Sequence, residues 1–146
     1  MAYATKAKLG SGSKLFYMTA GGTPVKKYLT NALNIGQVGE QGEFVETTPI
    51  SATVREYIKG MKTPPQKQIT FNHVPGDADY SAFLALVDAA ATDSLSMGVE
   101  YTSGDKAEFI LVPSGRVMEE PEGNTQLKMI VFFQQSGSTT WSEITP

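Results

Sequence analysis

The sequence predicts a mainly β (α+β) domain, sandwich-like or barrel-like, with one flanking α-helix. Three observations carry that prediction. Most apolar residues fall in short segments that alternate with polar ones, the period of a half-buried strand. Clusters of Gly, Pro, Asn and Asp separate those segments at short intervals. Only one stretch, residues 79–91, has helical spacing. At 146 residues the chain has the length of one domain and can bury a substantial core.

Residues 1–13 have no hydrophobic period and contain a Gly10-Ser11-Gly12-Ser13 run, so they read as an N-terminal arm ahead of a single domain at 14–146. Residues 14–18 (KLFYM) form a strand, closed by Gly21-Gly22-Thr23-Pro24. Residues 25–38 hold apolar pieces broken by Asn31, Asn34 and Gly36, which suits one or two irregular strands. Next comes a long loop or ragged hairpin at about 39–50, with Gly39, Gly42, Thr47, Thr48 and Pro49. Loops of that length in compact domains tend to be functional.

Residues 51–58 (SATVREYI) alternate, and Gly60 with Pro64-Pro65 ends that strand. In 66–74, Ile69, Phe71 and His73 share a face opposite Gln68, Thr70 and Asn72, until Pro75-Gly76 stops the strand. The helix over 79–91 is capped by Asp77 or Asp79, and Tyr80, Phe83, Leu84 and Val87 form its core stripe. Residues 95–102 and 106–112 make a hairpin about Ser103-Gly104-Asp105. A strand at 116–120 leads through Pro121-Glu122-Gly123-Asn124 into 126–135 (QLKMIVFFQQ). That last strand is apolar on both faces, because Ile130 and Phe132 oppose Leu127, Met129, Val131 and Phe133. Such a strand is central between layers or covered by another molecule.

Charge is unevenly placed. The formal net charge is −3, yet residues 1–39 contain five lysines (Lys6, Lys8, Lys14, Lys26 and Lys27) and no acid. They carry +5 against −8 for the remainder, the asymmetry of an arm that docks on a surface of opposite sign. A net acidic chain does not suit binding through phosphate contacts. No apolar run approaches the roughly 20 residues of a membrane span, and no signal-peptide pattern occurs.

Catalytic chemistry finds no residues to use. There is no cysteine and one histidine, so thiolate metal sites, cysteine nucleophiles and multi-histidine zinc sites are excluded. His73 shares a strand face with Ile69 and Phe71, the setting of a hydrogen-bonded core or edge histidine. Gly36, Gly39 and Gly42 match neither a dinucleotide fingerprint nor a phosphate loop. Glu119, Glu120 and Glu122 flank a turn and read as a solvated edge. The expectation is a non-enzyme without cofactor or metal.

Residues 51–87, SATVREYIKGMKTPPQKQITFNHVPGDADYSAFLALV, resemble the middle of the tail tube proteins of long-tailed (non-contractile) bacteriophages. The matching features are Arg55-Glu56-Tyr57-Ile58, Gly60, the Pro75-Gly76-Asp77 turn and the helix that follows. The hairpin at Ser103-Gly104-Asp105 and the small-residue end at 137–141, where a Ser-Gly closes the last strand, extend the likeness over residues 30–140. The resemblance implies the tail-tube fold and a structural virion protein made in the host cytoplasm. It implies hexameric rings stacked into a hollow tube for genome delivery, with tape measure, tail terminator and tail-tip proteins as further partners. DNA would pass through without specific binding, and no membrane is involved.

On that reading Lys6 and Lys8 of the arm, with Gly39, Glu40, Gly42, Thr47 and Pro49 of the long loop, are inter-ring assembly residues. Ile130 and Phe132 lie on an inter-subunit strand. Glu46, Glu56, Glu100 and Glu108 sit in strand candidates, the last three alternating with apolar residues, and are candidate lumen residues. The alternative from a different class is a tail completion or adaptor protein, or another non-tube binding module on the same fold, since architecture does not fix role.

Overall fold

The computed structural model describes residues 3–19, 23–89 and 93–144. Its elements in chain order are β1 (Lys14–Met18), β2 (Lys26–Leu29), β3 (Ala32–Asn34), β4 (Gln41–Glu46), β5 (Tyr57–Thr63), β6 (Gln66–Asn72), α1 (Ala78–Asp88), β7 (Leu95–Glu100), β8 (Asp105–Met118) and β9 (Lys128–Glu143). Seven strands pair antiparallel in the order β2-β1-β7-β8-β9-β6-β3, and β4 pairs with β5 as a separate two-stranded ribbon. The mainly β reading with one flanking helix therefore holds.

Alternation sorts the seven strands onto two faces. Leu15 and Tyr17, Met97 and Val99, Phe109 and Leu111, Val131 and Phe133, and Ile69 and Phe71 all point to one side and are buried. Tyr80, Phe83, Leu84 and Val87 of α1 close that side as the spacing predicts. Asp77 caps the helix, accepting hydrogen bonds from the backbone N–H groups of Asp79 and Tyr80. Phe83 is the hub. Its ring lies 5.4 Å from Tyr17, 5.6 Å from Phe71 and 6.2 Å from Phe133. Strands β1 and β6 stand four strand spacings apart, about 19 Å in a flat sheet. For one side chain to touch rings from both, the sheet curls round the helix. His73 is a structural partner, its Nδ1 3.1 Å from the Tyr80 hydroxyl.

Several boundaries differ from the sequence reading. Residues 51–56 are not a strand. The strand begins at Tyr57 and runs through Gly60 to Thr63, where Pro64-Pro65 ends it. Gly60 is required there because a side chain would come 2.6 Å from the Glu43 carbonyl oxygen of β4. The segments at 106–112 and 116–120 are one strand, β8, which passes Pro113 by a register shift between Pro113 and Gly115. Beyond Val112 it has run past the start of β7, so Pro113 sits on a free edge where its missing N–H costs no ladder bond. Ser136-Gly137 does not close the last strand, since β9 pairs on with β8 as far as Glu143. Helix α1 ends at Asp88 with Ala89 as its cap. The predicted helical residues 90–91 and the Gly21-Gly22 turn lie outside the described residues.

One buried charge stands out. Lys67 is almost fully buried on the core face of β6, its ammonium donating to the Gln37 carbonyl at 2.6 Å and lying 5.4 Å from the Phe109 ring centre. Burial lowers its pKa from 10.5 to about 8. Between those values the unfolded chain binds more protons than the folded one, so this lysine makes stability rise with pH. Above about 10 the buried tyrosines Tyr17 and Tyr80, whose pKa burial raises, oppose the trend. Chemical denaturation between pH 8 and 10 is expected to show stability rising with pH, and Lys67→Met should flatten that slope. A Lys67→Met chain with the unaltered slope would contradict the assignment.

Candidate functional site

The β4–β5 ribbon is built unlike the rest of the molecule. Its strands pair through Gln41↔Thr63, Gly42↔Lys62, Phe44↔Lys59, Val45↔Ile58 and Glu46↔Tyr57, and neither contributes to the buried core. Phe44, Val45, Tyr57, Ile58 and Met61 are exposed, as are Ile50 and Val54 in the connecting segment. A patch of that kind marks an interaction surface. The predicted loop at 39–50 is thus the first arm of a longer hairpin, and its apolar content comes mostly from residues after 50.

Two polar anchors hold its roots. Glu40 accepts from the Thr139 backbone N–H (3.0 Å), the Thr139 hydroxyl (2.8 Å) and the Gln135 amide (3.2 Å), joining the entry of the hairpin to β9. Burial alone would raise the Glu40 carboxyl, but these donors, with Lys62 nearby, hold it below its ordinary range. At the exit, the backbone N–H of buried Gln135 donates to the Pro65 carbonyl at 3.3 Å, and the Gln134 amide donates to the Pro64 carbonyl at 3.0 Å. Gln135 therefore touches both roots. The far end is tied by Thr47 N–H to the Glu56 carbonyl (2.9 Å) and by Glu56 N–H to the Thr48 hydroxyl (2.8 Å), while Pro49 accepts from Ala52 N–H.

The sheet face away from α1 is the second open surface. Phe16 is buried here on the wrong side of its strand. It lies flat over Gly98, where a side chain would come 2.4 Å from its ring, with Tyr28 at its edge and the Lys26 ammonium 4.4 Å from its centre. Lys26 also bonds Glu100 at 2.8 Å, and the Tyr28 hydroxyl donates to the same carboxylate at 3.1 Å. Burial would raise Glu100, but those bonds outweigh it and hold its carboxyl down. Glu108 pairs with Lys106 at 3.0 Å, and Lys14 stands directly across from Glu100. Farther along, Ile110, Val112 and Val117 join half-buried Ile130 and Phe132 in an apolar strip on this face.

The four candidate lumen carboxylates thus divide into two pairs. Glu100 and Glu108 lie on the open sheet face, each paired with a lysine. Glu46 ends β4, and Glu56 precedes β5 rather than sitting in a strand; both lie near the hairpin tip, where Glu46 is 3.9 Å from Arg55. Lys6 and Lys8 are exposed on an arm fixed at two points, Ala4 N–H to the Ser103 carbonyl (2.7 Å) and the Thr102 hydroxyl to the Leu9 carbonyl (2.6 Å). Gly39 takes a positive φ of 115° beside Trp141, and Gly42 lies within β4. Sequence reasoning missed Gln135, Thr139 and Tyr28. A Gly inside a strand, between Met97 and Val99, is the one local signal that pointed to the Phe16 slot. Among the described residues no group of three or more His, Asp or Glu could hold a metal ion, and no helix is long and apolar enough to cross a membrane.

No family model matches the chain, and no curated protein matches it in sequence. Solved structures match over almost its whole length. A chain of the SPP1 tail tube aligns with a TM-score of 0.70 at 14% identity, covering 94% of this chain and 80% of that one. A chain from the tail of the empty GTA particle, computed with C6 symmetry, gives 0.69 at 12% identity, covering 93% and 99%. A chain of the anti-feeding prophage baseplate gives 0.70 at 6% identity, covering 95% and 97%. The fold is the one these tail structures share.

If the Glu40 anchor sets the hairpin's pose, Glu40→Ala frees one root at a local cost of about 1–2 kcal/mol. Hydrogen exchange should then quicken in β4 and β5 while amides in β6 to β9 keep their protection. Unchanged exchange in the hairpin would contradict the anchoring role.

Proposed function

We propose that this chain is a structural subunit of a phage-type tail. It self-assembles into stacked six-membered rings whose continuous tube conducts the genome during delivery. The observation that carries the reading is the β4–β5 hairpin, an apolar ribbon held outside the core of a chain with the tail-tube fold. A two-stranded ribbon is marginal in water and becomes stable when covered. Closure of sheets into a ring would also cover the free edges at β2 and β3. The protein acts as scaffold rather than enzyme and resides in the virion tail after synthesis in the host cytoplasm.

Within that assembly the hairpin, with Gly39, Glu40, Gly42, Thr47 and Pro49 along its first arm, makes the contacts between rings, and Lys6 and Lys8 of the N-terminal arm add a salt-sensitive attraction. Ile130 and Phe132 meet a neighbouring subunit. The part of the open sheet face that carries Glu100 and Glu108 lines the bore, joined at the hairpin tips by Glu46 and Glu56. On that face carboxylates are interleaved with Lys14, Lys26 and Lys106, so neither sign dominates and the phosphate backbone is not gripped. Tape measure, terminator and tail-tip proteins are the further partners.

One observation favours a second reading, in which the chain ends or adapts a tube: the same fold serves in a baseplate. Negative-stain microscopy of the purified protein separates the two. Long hollow tubes are the expected result. Single closed rings that do not stack would favour the adaptor reading, and a chain that stays monomeric at high concentration would overturn self-assembly.

A further inference from the structure

We propose that Met61 is a redox-sensitive modification site, whose oxidation by a peroxide to the sulfoxide closes the hairpin to association and whose reduction reopens it. The inference rests on the self-assembly reading and adds a regulation of the same surface. Between the Gly42↔Lys62 and Phe44↔Lys59 pairs, Gly60 and Met61 of β5 stand against Glu43 alone on β4. That is a β-bulge, and it shifts the alternation of β5 by one residue. Lys62 therefore falls with Phe44, Tyr57, Lys59 and Glu46 on one face, and Met61 joins Val45 and Ile58 on the other. Val45 is 48% and Ile58 55% exposed, against 87% for Met61, so the thioether stands in solvent beside an apolar pair.

Exposure singles this methionine out. Of the five among the described residues, Met97 and Met129 lie in the core, Met18 is half-buried and Met118 is 38% exposed. A thioether is oxidised where peroxide can reach it, so Met61 reacts first. The sulfur lone pair attacks one peroxide oxygen, and the O–O bond breaks as the S–O bond forms. Sulfur gives up two electrons, and the second oxygen of hydrogen peroxide leaves as water. A dithiol reductant with a methionine sulfoxide reductase reverses the step, leaving thioether, disulfide and water. The sulfoxide is polar and accepts hydrogen bonds, whereas Glu43, two residues before Val45 on the same face, is as a carboxylate an acceptor too. Covering the sulfoxide with an apolar surface therefore costs free energy that covering the thioether does not.

Brief hydrogen peroxide treatment of the free subunit, peptide mass spectrometry and sedimentation velocity test this together. The first added oxygen should fall on Met61, and the oxidised chain should assemble at least about tenfold more slowly. Methionine sulfoxide reductases with dithiothreitol should restore the rate, which irreversible damage elsewhere would not allow. Met118→Leu should stay peroxide-sensitive, whereas Met61→Leu, compared with its own untreated sample, should not respond. A first oxygen elsewhere, or a chain with Met61 sulfoxide that assembles as fast as the untreated one, overturns the proposal and leaves self-assembly standing. An untreated, unaltered chain that forms no particle overturns both.

Discussion

One helix of eleven residues has to cover a sheet of seven strands, and that mismatch shapes everything else. The helix is about 16 Å long, whereas seven strands laid flat span about 29 Å from first to last. Curling the sheet round Phe83 brings Tyr17, Phe71 and Phe133 to one ring and makes a single small helix sufficient. The same solution leaves much of the other sheet face open among the described residues. β4 and β5 pair only with each other and stand apart from that sheet as a ribbon.

What stays uncovered has been made tolerable piece by piece. Near β1 and β7 the open face is finished within the subunit, with Phe16 flattened over Gly98 under Lys26, and Glu100 neutralised by the same lysine. Around Ile110, Val117, Ile130 and Phe132 no such lid exists among the described residues. The hairpin is different again. Its backbone is anchored by charged and amide groups at Glu40 and Gln135, while its side chains are left apolar and exposed. Fixed backbone with unfinished side chains lowers the ordering cost of association, because the contact surface is already in place before a partner arrives.

The sequence was informative where one period ruled. Tyr80, Phe83, Leu84 and Val87 fixed the helix, and the alternation about Ile69 and Phe71 fixed β6, because each has one face toward the core. It misled where both faces or neither are apolar. In the hairpin Val45 and Phe44 are adjacent, so no alternation shows, and the pattern in 51–58 was accidental. Beyond Gly137 β9 has Trp141 alone among Ser, Thr and Glu, with no alternation to show that the strand continues, and Pro113 suggested a break that a bulge on a free edge avoids. Of the proposed assembly residues, Glu40 was visible only as part of a loop. Its bond to Thr139 spans 99 positions, a distance at which no local pattern operates.

On the proposed reading the sheet and helix fold by themselves and the hairpin serves association. Replacing residues 41–63 with a short Gly-Ser linker, followed by thermal unfolding and sedimentation velocity, separates the two roles. A cooperatively folded monomer that no longer assembles is the predicted result. A chain that fails to fold, or that assembles as readily as the unaltered protein, would contradict it.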